Sequence, residues 1–162
     1  MTIVLGIDPG FSGAIASLDT TTGVLNVVDM PTLTNKKGKQ ELDHIALFEL
    51  LNPPSEDIRL TSFLEQVASR PGQSSTATFR FGQGYGAIEM AILAHRISLN
   101  YVTPTKWKGY FGLSKDKGSS RGLATQRFPQ HADLFTRVKD DGRAEASLIA
   151  LYGAHIMKLT NL

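Results

Sequence analysis

Thr2-Ile3-Val4-Leu5-Gly6-Ile7-Asp8-Pro9-Gly10 is a nearly unbroken apolar run that delivers one carboxylate and then stops at Pro-Gly. Continuous hydrophobicity without alternation reads as a strand buried on both faces. An acid at the end of such a strand needs a partner, because a buried carboxylate left alone either pays a heavy desolvation cost or takes up a proton. A metal ion or another cation beside Asp8 would meet that need. So would the Pro9-Gly10 turn, which an Asp side chain caps readily. The segment by itself leaves both roles open.

Working outward, Ala14–Asp19 and Val24–Met30 flank Thr20-Thr21-Thr22-Gly23 and predict, with the first strand, a three-stranded antiparallel meander. Pro31 to Gln40 carries Lys36, Lys37 and Lys39 around Gly38 and reads as a solvated basic linker in preference to a DNA contact. Glu41 to Leu51 has helical spacing, ended by Asn52-Pro53-Pro54, with His44 on the outer face. Ile58 to Val67 reads as the fourth strand and sets Glu65 among apolar residues, although alternation would equally permit an exposed acid there. Thr76 to Ile97 contains Gly82-Gln83-Gly84-Tyr85-Gly86; with no Lys-Ser/Thr behind it, this is read as close helix packing and not as a phosphate loop. The apolar face from Ala87 to Ile97 suits core or dimer interface alike. Leu99 to Thr103 makes a short fifth strand closed by Pro104.

Between Lys106 and Arg121, basic residues (Lys106, Lys108, Lys115, Lys117, Arg121) interleave with Trp107, Tyr110 and Phe111. A surface that tracks phosphates and stacks on bases has this composition. Trp107 and Phe111 serve equally well as core anchors, so the basic residues carry the inference. Leu123 to Phe128 continues as helix until Pro129, and the last helix opens at Asp140-Asp141 and runs through Tyr152. Asp141 and Glu145 lie one turn apart on one face of it, with Cβ atoms about 6 Å apart. The helix dipole accounts for an acid at 140 or 141. It accounts less well for Glu145, which sits between Ala144 and Ala146 on an apolar seam.

At 162 residues and 41% hydrophobic content the chain fits one domain, residues 1–162, with a sizeable core. No apolar run approaches the roughly 18 residues of a spanning helix, and Met1-Thr2 leads into a strand with no basic leader, so an intracellular protein without a membrane partner is expected. The absence of cysteine excludes disulfides and thiolate zinc sites. Any metal must then be held by oxygen or imidazole. The net charge of +2, from 17 basic and 15 acidic residues, is mild for a nucleic-acid binder. If four of the 15 acids gather in one site, 11 remain against 17 bases elsewhere, a balance of +6 that suits a phosphate backbone.

Asp8, Glu65 and Glu145, with Asp141 a turn away, suggest a site that holds two hard divalent cations. Two-metal phosphodiester hydrolysis needs bridging carboxylates that hold ions about 3.5–4 Å apart. Mg²⁺ suits such an oxygen-only set, with Mn²⁺ as its substitute. A meander, a helix, then alternating strand and helix is the element order of the ribonuclease H-like α/β fold, a five-stranded mixed sheet flanked by helices. That fold sets the first and fourth strands side by side, so that Asp8 and Glu65 can meet.

Taken in order, Gly6-Ile7-Asp8-Pro9-Gly10, Glu65-Gln66-Val67, Gly82-Gln83-Gly84 and the acidic opening of the last helix resemble the RuvC-type Holliday junction resolvases over nearly the whole chain. The resemblance implies that Asp8, Glu65, Asp141 and Glu145 bind Mg²⁺, and that a homodimer nicks a four-way DNA junction symmetrically. It sets Lys108 and Lys117 near positions that contact the scissile phosphate, with Lys117 among the catalytic residues. Many members carry their last two ligands as Asp-x-x-Asp, whereas here Gly142 stands three before Glu145. Asp141, as in phage and chloroplast relatives, is the expected ligand, with Asp140 as its substitute. Rival readings are a nuclease of the same fold acting on RNA or flapped DNA, a sugar-kinase or actin-like phosphate loop at Gly6–Gly13, and a DNA-binding module without activity.

Overall fold

Three antiparallel strands open the chain: β1 (Thr2–Asp8), β2 (Ala14–Asp19) and β3 (Leu25–Asp29), paired in register from Ile3↔Asp19 to Asp8↔Ala14 and from Ala14↔Asp29 to Leu18↔Leu25. The computed structural model describes all residues except 56, 69–71, 73, 115, 117 and 161–162. The expected basic linker is instead a two-stranded ribbon, β4 (Thr32–Thr34) against β5 (Gln40–Leu42), which takes Glu41 and Leu42 from the expected helix. That helix, α1 (His44–Leu51), starts one residue after Asp43, whose side chain accepts from the Ala46 N–H as an N-cap. His44 lies exposed, as expected.

β6 (Arg59–Glu65) adds parallel to β1, and β7 (Ser98–Val102) adds parallel to β6, completing the order β3-β2-β1-β6-β7. Between them runs α2 (Ser75–Ala94), capped by Ser74. Thr103 caps α3 (Pro104–Tyr110), followed by α4 (Ser119–Arg127), two 3₁₀ turns and α5 (Asp141–Ile156). This is the five-stranded mixed α/β sheet that the sequence predicts.

Two cores flank the sheet. Leu5, Ile7, Ile15 and Leu64 pack with Leu47 of α1 and Ile88 and Ile92 of α2 on one face. Val4, Ala16, Leu18 and Phe63 pack with α5, Trp107 and Phe135 on the other. The α5 helix lies so close to β1 that a Cβ at Gly6 would stand 2.1 Å from the Ala146 carbonyl oxygen. The alternation that turns Val4 and Gly6 toward α5 turns Asp8 to the same side. Most of the apolar face from Ala87 to Ile97 is core (Ile88, Ala91, Ile92, Ile97), while Met90 and Leu93 are exposed. Only Gly84 of the glycine series packs closely, against the Phe11 ring; a Cβ at Gly82 or Gly86 would meet open space.

Candidate metal and nucleic-acid site

The parallel register Ile7↔Leu64 carries Asp8 and Glu65 to adjoining positions at the carboxyl ends of the two central strands. Glu65 is only 6% exposed, so the alternative of a solvated strand residue is excluded. Trp107, fully buried on α3, donates from Nε1 to Glu65 Oε1 at 2.8 Å. The tryptophan is thus a core anchor with a polar task, and it is not free to stack on bases. Phe111 also packs against that core.

Of the two parts left open by the sequence, Asp8 plays the turn cap, and its setting leaves it short of a cation. Its Oδ1 accepts from the Gly10 N–H at 3.2 Å, capping the turn, while its carboxylate faces the other acids. Burial, and to a lesser degree the charge of Glu145, push its pKa up from 3.8 to about 6. Burial likewise raises Glu65 from 4.5 to about 7, with Asp8 and Glu145 adding repulsion, against the opposing Trp107 hydrogen bond. Too little positive charge therefore stands beside this pair.

Glu145 comes to the cluster from α5. Its Oε1 accepts from Lys108 Nζ at 2.7 Å and from Ser120 Oγ at 3.3 Å. Asp141, one turn earlier and half-exposed, pairs with Arg121, whose Nε lies 2.7 Å from Oδ1. Lys108 also lies 5.0 Å from the Trp107 ring centroid. Lys108, Ser120, Asp141 and Glu145 wall a groove between α3, α4 and α5, which takes in Thr105 and Ser119 as well. Lys106 lies exposed on α3. Lys115 and Lys117 are outside the described residues.

Asp140 is elsewhere. At 1% exposure it accepts from the Arg137 backbone and guanidinium and lies near Arg143, which itself forks onto Asp29. The Asp140 carboxylate closes a capping box with Arg137 on the 3₁₀ turn that leads into α5, and so engaged it is not available as the substitute for Asp141. Gly142 is equally fixed: a Cβ there would stand 2.4 Å from the Ser12 carbonyl oxygen. A side chain three residues before Glu145 therefore has no room, and the acid one turn before it on this helix is Asp141, four residues earlier.

Among the described residues, no three acidic or imidazole groups already converge tightly enough to ligate one ion, since Glu145 is turned to Lys108 and Asp141 to Arg121. The donor set nonetheless fits a hard cation. It is all carboxylate oxygen, burial disfavours the charged form of its two central members until a cation joins them, and its outer two are held by cations that an ion would replace. Trp107 and Ser120 are the site residues that the sequence did not reveal. Both lie far in the chain from the acids they touch, and no local pattern marks them.

The fold is ribonuclease H-like, with its acidic cluster at the carboxyl ends of the central strands. It is similar to a Thermus thermophilus RuvC in complex with Holliday junction substrate, at TM-score 0.64 and 16% identity, over 98% of this chain and 96% of that one. A second Thermus thermophilus RuvC structure matches at 0.59 and 16%, over 97% and 96%. The yeast mitochondrial Holliday junction resolvase Ydc2 matches at 0.56 and 15%, over 96% and 79%. At these identities the fold is what is shared. No protein-family model matches the chain, and no curated protein sequence matches it.

Proposed function

We propose that this chain is a Mg²⁺-dependent, structure-specific endonuclease that resolves four-way DNA junctions by paired symmetric nicks, working as a homodimer. The observation that carries the proposal is the meeting of Asp8 and Glu65 on adjacent parallel strands, both held above the usual carboxylate range by burial, with Glu145 facing them. Likeness of fold to junction resolvases over nearly the full chain supports it.

In this reading Asp8, Glu65, Asp141 and Glu145 hold two ions, Mg²⁺ or in its place Mn²⁺. Such ions, when bound, activate water and stabilise the leaving oxygen. Trp107 fixes the Glu65 rotamer and keeps water from its inner face. Lys108 and Arg121 give up Glu145 and Asp141 and turn to phosphates, joined by Lys106 and, on sequence grounds, by Lys115 and Lys117, with Lys117 at the scissile phosphate. A two-fold dimer matches a substrate with two equivalent strands to cut.

Cutting is tested by incubating the chain with Mg²⁺ and a synthetic four-way junction, linear duplex, flap or RNA–DNA hybrid of equal sequence. Paired nicks in the junction and little in the others is the expected result. Preferential cutting of hybrid or flap would transfer the site to the rival nuclease reading.

A further inference from the structure

The ribbon that replaces the expected linker is a built structure. At its tip the Asn35 side chain accepts from the Lys37 and Lys39 N–H groups at 2.9 and 3.0 Å, and Gly38 takes φ +72. Asn35 Nδ2 donates to Glu41 at 2.6 Å, and the Arg80 guanidinium of α2 donates to the Gln40 carbonyl and lies 3.6 Å from Glu41. Glu41 is the one acid between Thr32 and Leu42, and it is committed to the stem. Lys36, Lys37 and Lys39 are all exposed, and among the described residues none is in an ion pair.

The ribbon is rooted at the acidic end of the sheet. The Met30 N–H just before it donates to the Gly13 carbonyl at 2.9 Å, on the turn that follows Asp8. Thr32 and Gln40 share a groove with Ser12 of that turn and with Lys139, which is exposed. The acids along this groove, Asp29 and Asp140, are neutralised by Arg143 and Arg137, so the uncompensated charge there is positive. Clustered lysines on a firm two-stranded support, with no aromatic at the tip to stack on single-stranded bases, suit a repeating phosphate array read without regard to sequence.

Resting on the nuclease reading, we propose that Lys36, Lys37 and Lys39 form a second DNA contact, binding the phosphates of a duplex arm while the acidic centre takes the strand to be cut. The test compares the full chain with its Lys36→Ala, Lys37→Ala, Lys39→Ala triple variant and with the triple Arg variant. Binding to junction and to linear duplex is measured in Ca²⁺ over a range of salt. The Ala triple should bind more weakly and lose about two to three units of log–log salt slope, at about 0.9 per phosphate contact. The Arg triple should match the wild type, and both should cut bound junction at the wild-type rate. An Ala triple with unchanged slope overturns the proposal. A wild-type chain that binds DNA but cuts no junction overturns the nuclease reading instead, and the ribbon then stands or falls by its slope on linear duplex.

Discussion

Trp107 Nε1 and Glu65 Oε1 are joined by a 2.8 Å hydrogen bond in the buried floor of the acidic cluster. The bond opposes burial in setting the Glu65 carboxyl at about 7. Trp107→Phe keeps an aromatic ring and removes the donor, so Glu65 should hold its proton to higher pH. The acid limb of the pH–rate profile for Mg²⁺-dependent cutting should move up, and stability should fall by about 1–3 kcal/mol for the buried acceptor left unpaired. An unmoved limb would show that the bond does not tune the site.

Burial holds Asp8 at about 6 and Glu65 at about 7, both above their ordinary values of 3.8 and 4.5. The native state therefore binds more protons than the unfolded state between about pH 4 and 7, and metal-free stability should fall as pH rises through that window. Each tenfold difference in proton affinity between the folded and unfolded chain corresponds to about 1.4 kcal/mol. Melting curves from about pH 4.5 to about pH 8 should show the decline. Asp8→Asn should flatten it, and Mg²⁺ should raise the melting temperature more at about pH 8 than at about pH 5.5, because the deprotonated carboxylates are the ligands. A metal-free chain whose stability climbs across this window, with Asp8→Asn doing the same, would contradict the assignment.

Asp140 and Asp141 are neighbours with opposite expected phenotypes. Asp141→Asn should abolish cutting and leave the fold intact. Asp140→Asn loosens the Arg137 cap and should lower the melting temperature while metal still binds, which calorimetric titration with Mn²⁺ reads directly. Gly142→Ala forces α5 off the turn at Ser12 and should cost about 1–3 kcal/mol, the range for overpacking.

Lys108 holds Glu145 at 2.7 Å, in competition with any cation. Lys108→Ala should therefore bind Mn²⁺ more tightly without DNA. It should also bind the junction more weakly, with a salt slope shallower by about one unit. A variant with unchanged metal affinity would mean that Lys108 does not compete for the site.

Much of this was legible in the sequence because it is carried by long, continuous signals. Ile3, Val4, Leu5 and Ile7 read as a strand covered on both faces, and they sit at the centre of the sheet between two cores. The one-turn spacing of Asp141 and Glu145 follows from helix geometry, and the order of elements sufficed to bring Asp8 beside Glu65. The misses are short or non-local. Thr32-Leu33-Thr34 and Gln40-Glu41-Leu42 are three-residue strands whose pairing depends on the Asn35 turn, and the lysines between them dominate the local reading. Asp43 marks the true start of α1 as an N-cap, although helical spacing of apolar residues extends back to Glu41. Gly82 and Gly86 carry no packing partner that a glycine would predict. The Trp107 and Glu65 contact joins positions 42 residues apart, so only the assembled fold reveals it.

The central claim is that Asp8 serves metal-dependent cutting and not DNA binding. Junction affinity of Asp8→Asn in Ca²⁺, set beside its cutting in Mg²⁺, tests this most directly. The account predicts affinity at or near the wild-type value and nicking no greater than background. Wild-type nicking by Asp8→Asn would contradict it.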